Sequence, residues 1–306
     1  MPLLGIPKKR LFVLAGVTDC EMILTPICKT QPEAVLLSFL DLRNNKHWPQ
    51  LRDALDAWPH YRYLDSGVFT FITRFMTKGI PMTREQIRPV FEDYCEFLKA
   101  NHQHFSWVID FDVDSVEVDG SPPPGLGVEI TREHRRELRK IVGDKLLPVW
   151  HIAAGYAAWK ELIADYRYVA IGPDRNRRDL PEFQALVQLA HAADVKVHGL
   201  MVGTFNTMAR VPYDTADSAN WLYAVKVGHY AGSVKYTDRR PPTTGSELVK
   251  ACQLEEDVRA LGYDPSLLIE GTNEEKLEIS IRLIQQEQEG IQWRENPKVR
   301  TTSLKG

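Results

Sequence analysis

The sequence predicts a (β/α)8 TIM-like barrel, and three observations carry that expectation. Eight short apolar runs alternate with helical stretches over roughly 220 residues, the rhythm of a parallel barrel with right-handed crossovers. Several runs are continuous rather than alternating, as strands buried on both faces must be. No Gly-x-Gly-x-x-Gly opens the first crossover, which argues against the alternative, an open doubly wound sheet. With 306 residues and 43% hydrophobic content, the chain can bury a core of this size.

Taken in order, Leu11 to Val17 is the first strand, and Glu33 to Leu40 the second after an irregular connection. A helix follows from His47 to Ala57, then a third strand from Arg62 to Gly67 that carries Asp65 at its end. Thr83 opens a long amphipathic helix through Ala100, and Ser106 to Asp112 is the fourth strand. The segment VDGSPPPGLG has too much proline and glycine for regular structure and marks a surface excursion. Helix Ile130 to Val142, strand Leu146 to Ile152, helix Ala157 to Ala164, strand Tyr168 to Gly172 and helix Pro181 to Ala193 continue the alternation. Val195 to Gly203 is the seventh strand, Thr204 to Arg210 a short helix, and Pro212 to Ala219 the eighth strand. The barrel core is expected over 1–231. A basic loop and helices over 232–306 pack on it, with helices at Gly245 to Leu261 and Asn273 to Gln288.

Loops at the carboxyl ends of barrel strands hold the chemistry. Asp65, Asp110 or Asp112, His151, Gly172, His198 and Asp217 are expected there, and Asp214 is placed near the same end of the last strand. Two carboxylates across one mouth can divide glycosyl transfer, one attacking a sugar carbon and the other moving a proton. Helix capping by Asp214 or Asp217, and loop capping by Asp110 and Asp114, are the structural alternatives.

A net charge of −3 does not announce a nucleic-acid protein, so local charge decides. Arg132 to Lys140 reads as a solvated helix face, whereas Arg175 to Arg178 and the stretch from Lys226 through Lys235 to Arg240 follow strand ends. The four cysteines show no CxxC spacing, which indicates neither a zinc site nor a disulfide framework and fits a reduced cytoplasmic protein. The apolar run after Lys8 is strand-length, not a signal peptide, and no run approaches the roughly 20 residues of a membrane span.

In this order, LDSGVF, IDFD, YVAIG and VHGLMVGT followed by DTADSANWLYA resemble the motifs of the tRNA-guanine transglycosylases. The resemblance covers about Leu11 to Ala231. It is closer still to the shorter, phage-type branch that puts 7-deazaguanines into DNA, through PVWH, the HG at Val197 to Gly199, and P-Y-x-x-x-DS-x-x-W. It implies that Asp217 is the nucleophile with Asp214 nearby, that Asp65 is the acid/base, and that Phe69 stacks on the base. It likewise implies a base pocket lined by Asp112, His151, Gly172 and Leu200, although His151 stands where the family has glutamine and Pro173 where it has glycine. Ser66, His198, Ser218 and Trp221, inside the same motifs, join the substrate-binding set. The family's cysteine-rich zinc subdomain and appended RNA-binding domain have no counterpart here.

The implied activity is a pentosyl transfer: guanine in DNA, flipped from its stack, is exchanged for a free 7-deazaguanine base (7-cyano-7-deazaguanine or a derivative) through a glycosyl-aspartate. The exchange is nearly isoenergetic, so no cofactor is expected; the missing zinc subdomain and the cysteine spacing imply no metal. Arg175, Arg177, Lys226, Lys235, Arg239 and Arg240 are the candidate phosphate contacts. The expected protein is a monomer or weak dimer in the cytoplasm, the host's if phage-encoded. The alternatives are the same chemistry on tRNA, a non-catalytic nucleic-acid-binding subunit, and a hydrolase of small glycosides.

Overall fold

The computed structural model describes residues 5–17, 20–57, 59–78, 80–172, 180–202, 205–230, 234–235 and 245–290. Nine parallel strands run β1 Leu11–Ala15, β2 Ala34–Ser38, β3 Tyr61–Asp65, β4 Trp107–Ile109, β5 Leu146–Leu147, β6 Val149–Trp150, β7 Tyr168–Ile171, β8 Lys196–Gly199 and β9 Thr215–Ser218. Their order, β5-β4-β3-β2-β1-β9-β8-β7-β6, begins and ends on two halves of one strand. Pro148 makes the break because it has no N–H to give the ladder. Its carbonyl still accepts from Ala170 N at 2.8 Å, so the eight-strand ring closes. The predicted barrel is the observed fold.

Period two sorts the side chains. On β1, Leu11, Val13 and Ala15 join the cluster inside the barrel, with Tyr63, Trp107, Ile109, Tyr168 and Ala170 from other strands. Phe12 and Leu14 face outward, toward helices that bring Ile23, Ile27, Tyr94 and Leu98 to the same core. By the same alternation Asp65 follows Tyr63 inward, and Ala216, in the outer core, leaves Thr215 and Asp217 inward. The register sets His198 beside Thr215 and Val13 beside Asp217.

Helix Arg84–Asn101 starts where its capping chemistry dictates. Gln86 N donates to the Thr83 hydroxyl at 3.3 Å, and Gln86 Oε1 accepts from Thr83 N at 2.9 Å. Among the described residues, two helices of nine or more residues were not expected. The irregular connection after β1 is a helix, Cys20–Thr30, despite Pro26 inside it. Burial of Ile23 and Ile27 outweighs the proline, and Thr30 Oγ1 donates to the Pro26 carbonyl at 2.7 Å. Val68–Met76 is the other.

The last described helix, Asn273–Gly290, does the work of the barrel's eighth helix. Leu277, Ile281 and Ile284 enter the core that holds Phe12 and Ile27. Gln288 Oε1 accepts from Phe12 N at 2.8 Å, and Gln285 Nε2 donates to the Thr30 carbonyl at 3.0 Å. Ile281→Ala should therefore destabilise the whole barrel by about 2–5 kcal/mol, read as a lower urea midpoint of a single transition. A satellite core of Ala224, Tyr230, Leu254, Val258, Leu268 and Leu283 holds helix Gly245–Ala260 to it. Among the described residues no helix is long and apolar enough to cross a membrane.

Candidate active site

Three inward carboxylates meet at the carboxyl ends of β3, β4 and β9. Asp65 ends β3, half-buried. Burial first, then the charges of Asp112 and Asp217, push its carboxyl up to about 7, against the lowering effect of a Gly67 N–H. That N–H donates to Asp65 Oδ2 at 3.0 Å, and the turn exists because Gly67 adopts φ +73°. Phe69 lies on the first turn of helix Val68–Met76, 38% exposed, four residues after Asp65.

Asp217 is buried on β9. Its Oδ1 accepts from Met201 N at 3.0 Å and from His198 Nε2 at 3.1 Å, so Oδ2 is the freer oxygen among the described residues. Behind it runs a buried chain of polar contacts. His198 Nδ1 lies 2.6 Å from Thr215 Oγ1, Thr215 meets the Tyr168 hydroxyl, and Tyr168 meets the Tyr63 hydroxyl at 3.0 Å. Stacking on Tyr63, with ring centroids 5.4 Å apart, fixes the His198 plane. With Nε2–H donating to the carboxylate, each hydroxyl has one consistent direction. Tyr63 donates to Tyr168, Tyr168 to Thr215, and Thr215 to Nδ1. All donors then point toward Asp217.

Asp112 and His151 form the third side. His151 Nε2 sits 2.6 Å from Asp112 Oδ2. Burial pulls the imidazole down, but the Asp112 hydrogen bond and the Asp114 and Asp112 charges overcome it and raise His151 to about 9. A Cβ on Gly172 would fall 2.1 Å from His151 Cε1, so only glycine leaves the ring its place. Gly172→Ala should displace the buried imidazole and cost about 1–3 kcal/mol, checked by chemical denaturation and by the His151 ring resonance. Asp112, Asp114 and His151 are also a group that could hold a metal ion.

Several sequence assignments require correction. Asp214 is at the other end of the barrel. It precedes β9, its carbonyl accepts from Leu11 N at 3.0 Å, and its carboxylate meets Lys196 Nζ, His191 Nε2 and Val197 N, each at 2.8 Å. Against burial, these bonds hold it below the ordinary carboxylate range, so it is a structural ion-pair residue. Trp221 is fully buried in the core, its Nε1 donating to the Ala15 carbonyl at 2.7 Å. Ser66 and Ser218 are buried turn residues whose hydroxyls accept from Val68 N at 3.4 Å and Asn220 N at 3.1 Å. His198 has no exposure and is hydrogen-bonded to Asp217. Asp110 is taken by Arg135 at 2.7 Å. Leu200 packs against the cluster inside the barrel.

Lys226 is exposed on the short helix Tyr223–Val227 that follows β9. Arg175, Arg177, Arg239, Arg240 and the Lys235 side chain lie outside the described residues. Tyr63, Tyr168, Thr215 and Asp114 are site residues that motif reading missed. For Tyr63 and Thr215 the signal was present, since each stands two positions before a site aspartate and so shares its strand face.

No family model matches the chain, and no curated protein matches it. Among solved structures it is similar to a thiamine phosphate pyrophosphorylase from Pyrococcus furiosus, at 10% identity and TM-score 0.37, covering 92% of this chain and 98% of that one. It is also similar to the carboxyl transferase domain from Rhizobium etli pyruvate carboxylase, at 10% identity and TM-score 0.41, covering 90% of this chain and 47% of that one. Similarity this low carries no inference about chemistry.

Proposed function

We propose that the protein exchanges guanine in DNA for a 7-deazaguanine base, as a pentosyltransferase of the tRNA-guanine transglycosylase type. The observation that supports the reading most is the pairing of unlike carboxyls at one mouth: Asp65 raised to about 7, and Asp217 anchored through one oxygen with the other freer. Environments that separate two carboxyls in this way divide acid from nucleophile.

Asp217 Oδ2 attacks C1′ of a flipped deoxyguanosine, and the C1′–N9 bond breaks with its electron pair on the base. Protonated Asp65 supplies the proton to the departing guanine. The incoming 7-deazaguanine then gives its N9 proton to Asp65, and N9 attacks C1′ as the C1′–Oδ2 bond of the glycosyl-aspartate breaks. Flipping is required because a sugar carbon within a duplex is out of reach of a barrel mouth. Phe69 offers a stacking face, and Asp112 accepts from the donor edge of a guanine-like ring while His151 holds it in place. Exposed Lys226 contributes a phosphate contact.

The test is incubation with labelled guanine and either a guanine-containing DNA or an unmodified tRNA. Label entering DNA is the expected result; label entering tRNA alone overturns the substrate, and label in neither overturns the activity. Thr215→Val removes the hydroxyl that sets the His198 tautomer and should lower kcat roughly tenfold with KM little changed, a loss of interaction confined to the transition state. Steady-state rates at several substrate concentrations check it.

A further inference from the structure

Asp112 and Asp114 lie just beyond β4, on either side of Val113, whose N–H donates to Thr131 Oγ1 at 2.9 Å. Gly127 presses on the same segment, close enough that a Cβ there would fall 2.4 Å from the Val113 carbonyl oxygen. The two carboxylates are thus fixed from behind by helix Leu126–Val142. His151 Nε2 approaches both, at 2.6 Å from Asp112 Oδ2 and 3.8 Å from Asp114 Oδ1. One ligand atom from each of the three lies within 4.8 Å of the other two.

The protein's own hydrogen bonds leave this cluster incomplete. Nε2 carries at most one proton, and at 2.6 Å it goes to Asp112. Asp114, 3% exposed, keeps a buried Oδ1 with no hydrogen-bond partner among the described residues. A buried carboxylate oxygen without a partner is costly, and native proteins rarely leave one so. A cation takes lone pairs from all three atoms at once.

We propose that Asp112 Oδ2, Asp114 Oδ1 and His151 Nε2 bind one divalent transition-metal ion of the Mn²⁺ or Zn²⁺ class. The imidazole selects such ions over Mg²⁺ and Ca²⁺, which prefer oxygen alone, and the two carboxylates suit Mn²⁺ as well as Zn²⁺. Binding displaces the Nε2 proton to solvent, so charge and ligand count balance. Three protein ligands leave coordination positions for water or a substrate oxygen. The site is unrelated to cysteine, and cysteine spacing had no bearing on it. It goes beyond the base-exchange reading and stands without it. Because the ion occupies Asp112 and His151, it competes with base recognition by the same carboxylate.

Chelator-treated full-length protein is titrated with MnCl₂ and, separately, ZnCl₂ by calorimetry. One ion per chain is expected. Electron paramagnetic resonance of the Mn²⁺ form should show nitrogen coupling that disappears in His151→Gln. Asp114→Asn should weaken binding at least roughly tenfold, while exposed Asp119→Asn should leave it unchanged. Should Asp114→Asn fail to fold by circular dichroism, the nitrogen coupling in His151→Gln decides alone. Absence of stoichiometric binding of either ion, or binding with no nitrogen coupling in the unaltered protein, overturns the site. Base exchange is assayed on the chelator-treated protein before any ion is added, so that competition at Asp112 does not enter. Metal binding without exchange sinks the exchange reading only, and exchange without metal binding sinks this one only.

Discussion

Asp217→Asn should reduce base exchange by about 10⁴ to 10⁶, the scale on which loss of a nucleophile is felt in covalent enzymes. Asparagine keeps the shape and an oxygen that can accept from Met201 N and His198 Nε2, the two bonds that hold Asp217 in place. The fold should therefore survive, with a thermal midpoint within a few degrees of the parent. Single-turnover measurement of label incorporation, beside a thermal melt, checks both halves. Asp214→Asn should behave in the opposite way. It breaks the ion pair with Lys196 and weakens the hydrogen bond to His191 at the far end of the barrel, so stability falls and the chemistry of the remaining folded protein does not.

Asp65→Asn should be less active and, above neutral pH, more stable. A proton donor is worth about 10² to 10⁴ in rate, and exchange in the parent should decline as pH rises past about 7 because departure of guanine needs the protonated acid. The stability effect follows from linkage. The folded pKa, about 7, lies above the ordinary unfolded value, so the native state binds the proton more tightly. The contribution of Asp65 to stability is fully present below the unfolded pKa and is lost as pH rises through about 7. Asparagine never ionises and escapes that loss, a gain of roughly 1–3 kcal/mol at pH 8 that vanishes near pH 4. Urea melts of the two proteins at both pH values check the sign. A group that is destabilising where it is ionised and needed for rate is the expected pattern of an active-site acid.

Much of this barrel was legible because its strands are nearly all apolar and its helices amphipathic, so the two periods separate cleanly along the chain. The positions of Asp65 and Asp217 followed from the same rhythm, Asp65 being the last residue of its strand and Asp217 the last but one. Asp214 was misplaced because the last strand begins at Thr215, not Pro212, and three residues of a strand span about 10 Å, enough to put one acid at each end of the barrel. Ser66 and Ser218 follow site aspartates directly and so shared their motifs, but period two turns them away and their hydroxyls serve the next turn. Helix Cys20–Thr30 was hidden by Pro26, since local propensity argued against it and only packing with a helix some 250 residues later repays the proline. The polar chain behind Asp217 joins residues 63, 168, 198 and 215, and the cluster beyond β4 joins 112, 114 and 151. Period two places Tyr63 with Asp65 and Thr215 with Asp217 on one strand face each, but which strands meet is decided only by closure of the ring.

A glycosyl-aspartate formed on DNA can be intercepted. The protein is mixed with an end-labelled, guanine-containing DNA, denatured, resolved by electrophoresis, and digested for peptide mass analysis. The expected result is a denaturation-resistant protein–DNA band that free guanine chases away, that Asp217→Asn lacks, and whose deoxyribosyl mass maps to the peptide containing Asp217. A band that persists in Asp217→Asn, or complete exchange of labelled guanine into DNA with the modified mass on another residue, would contradict it.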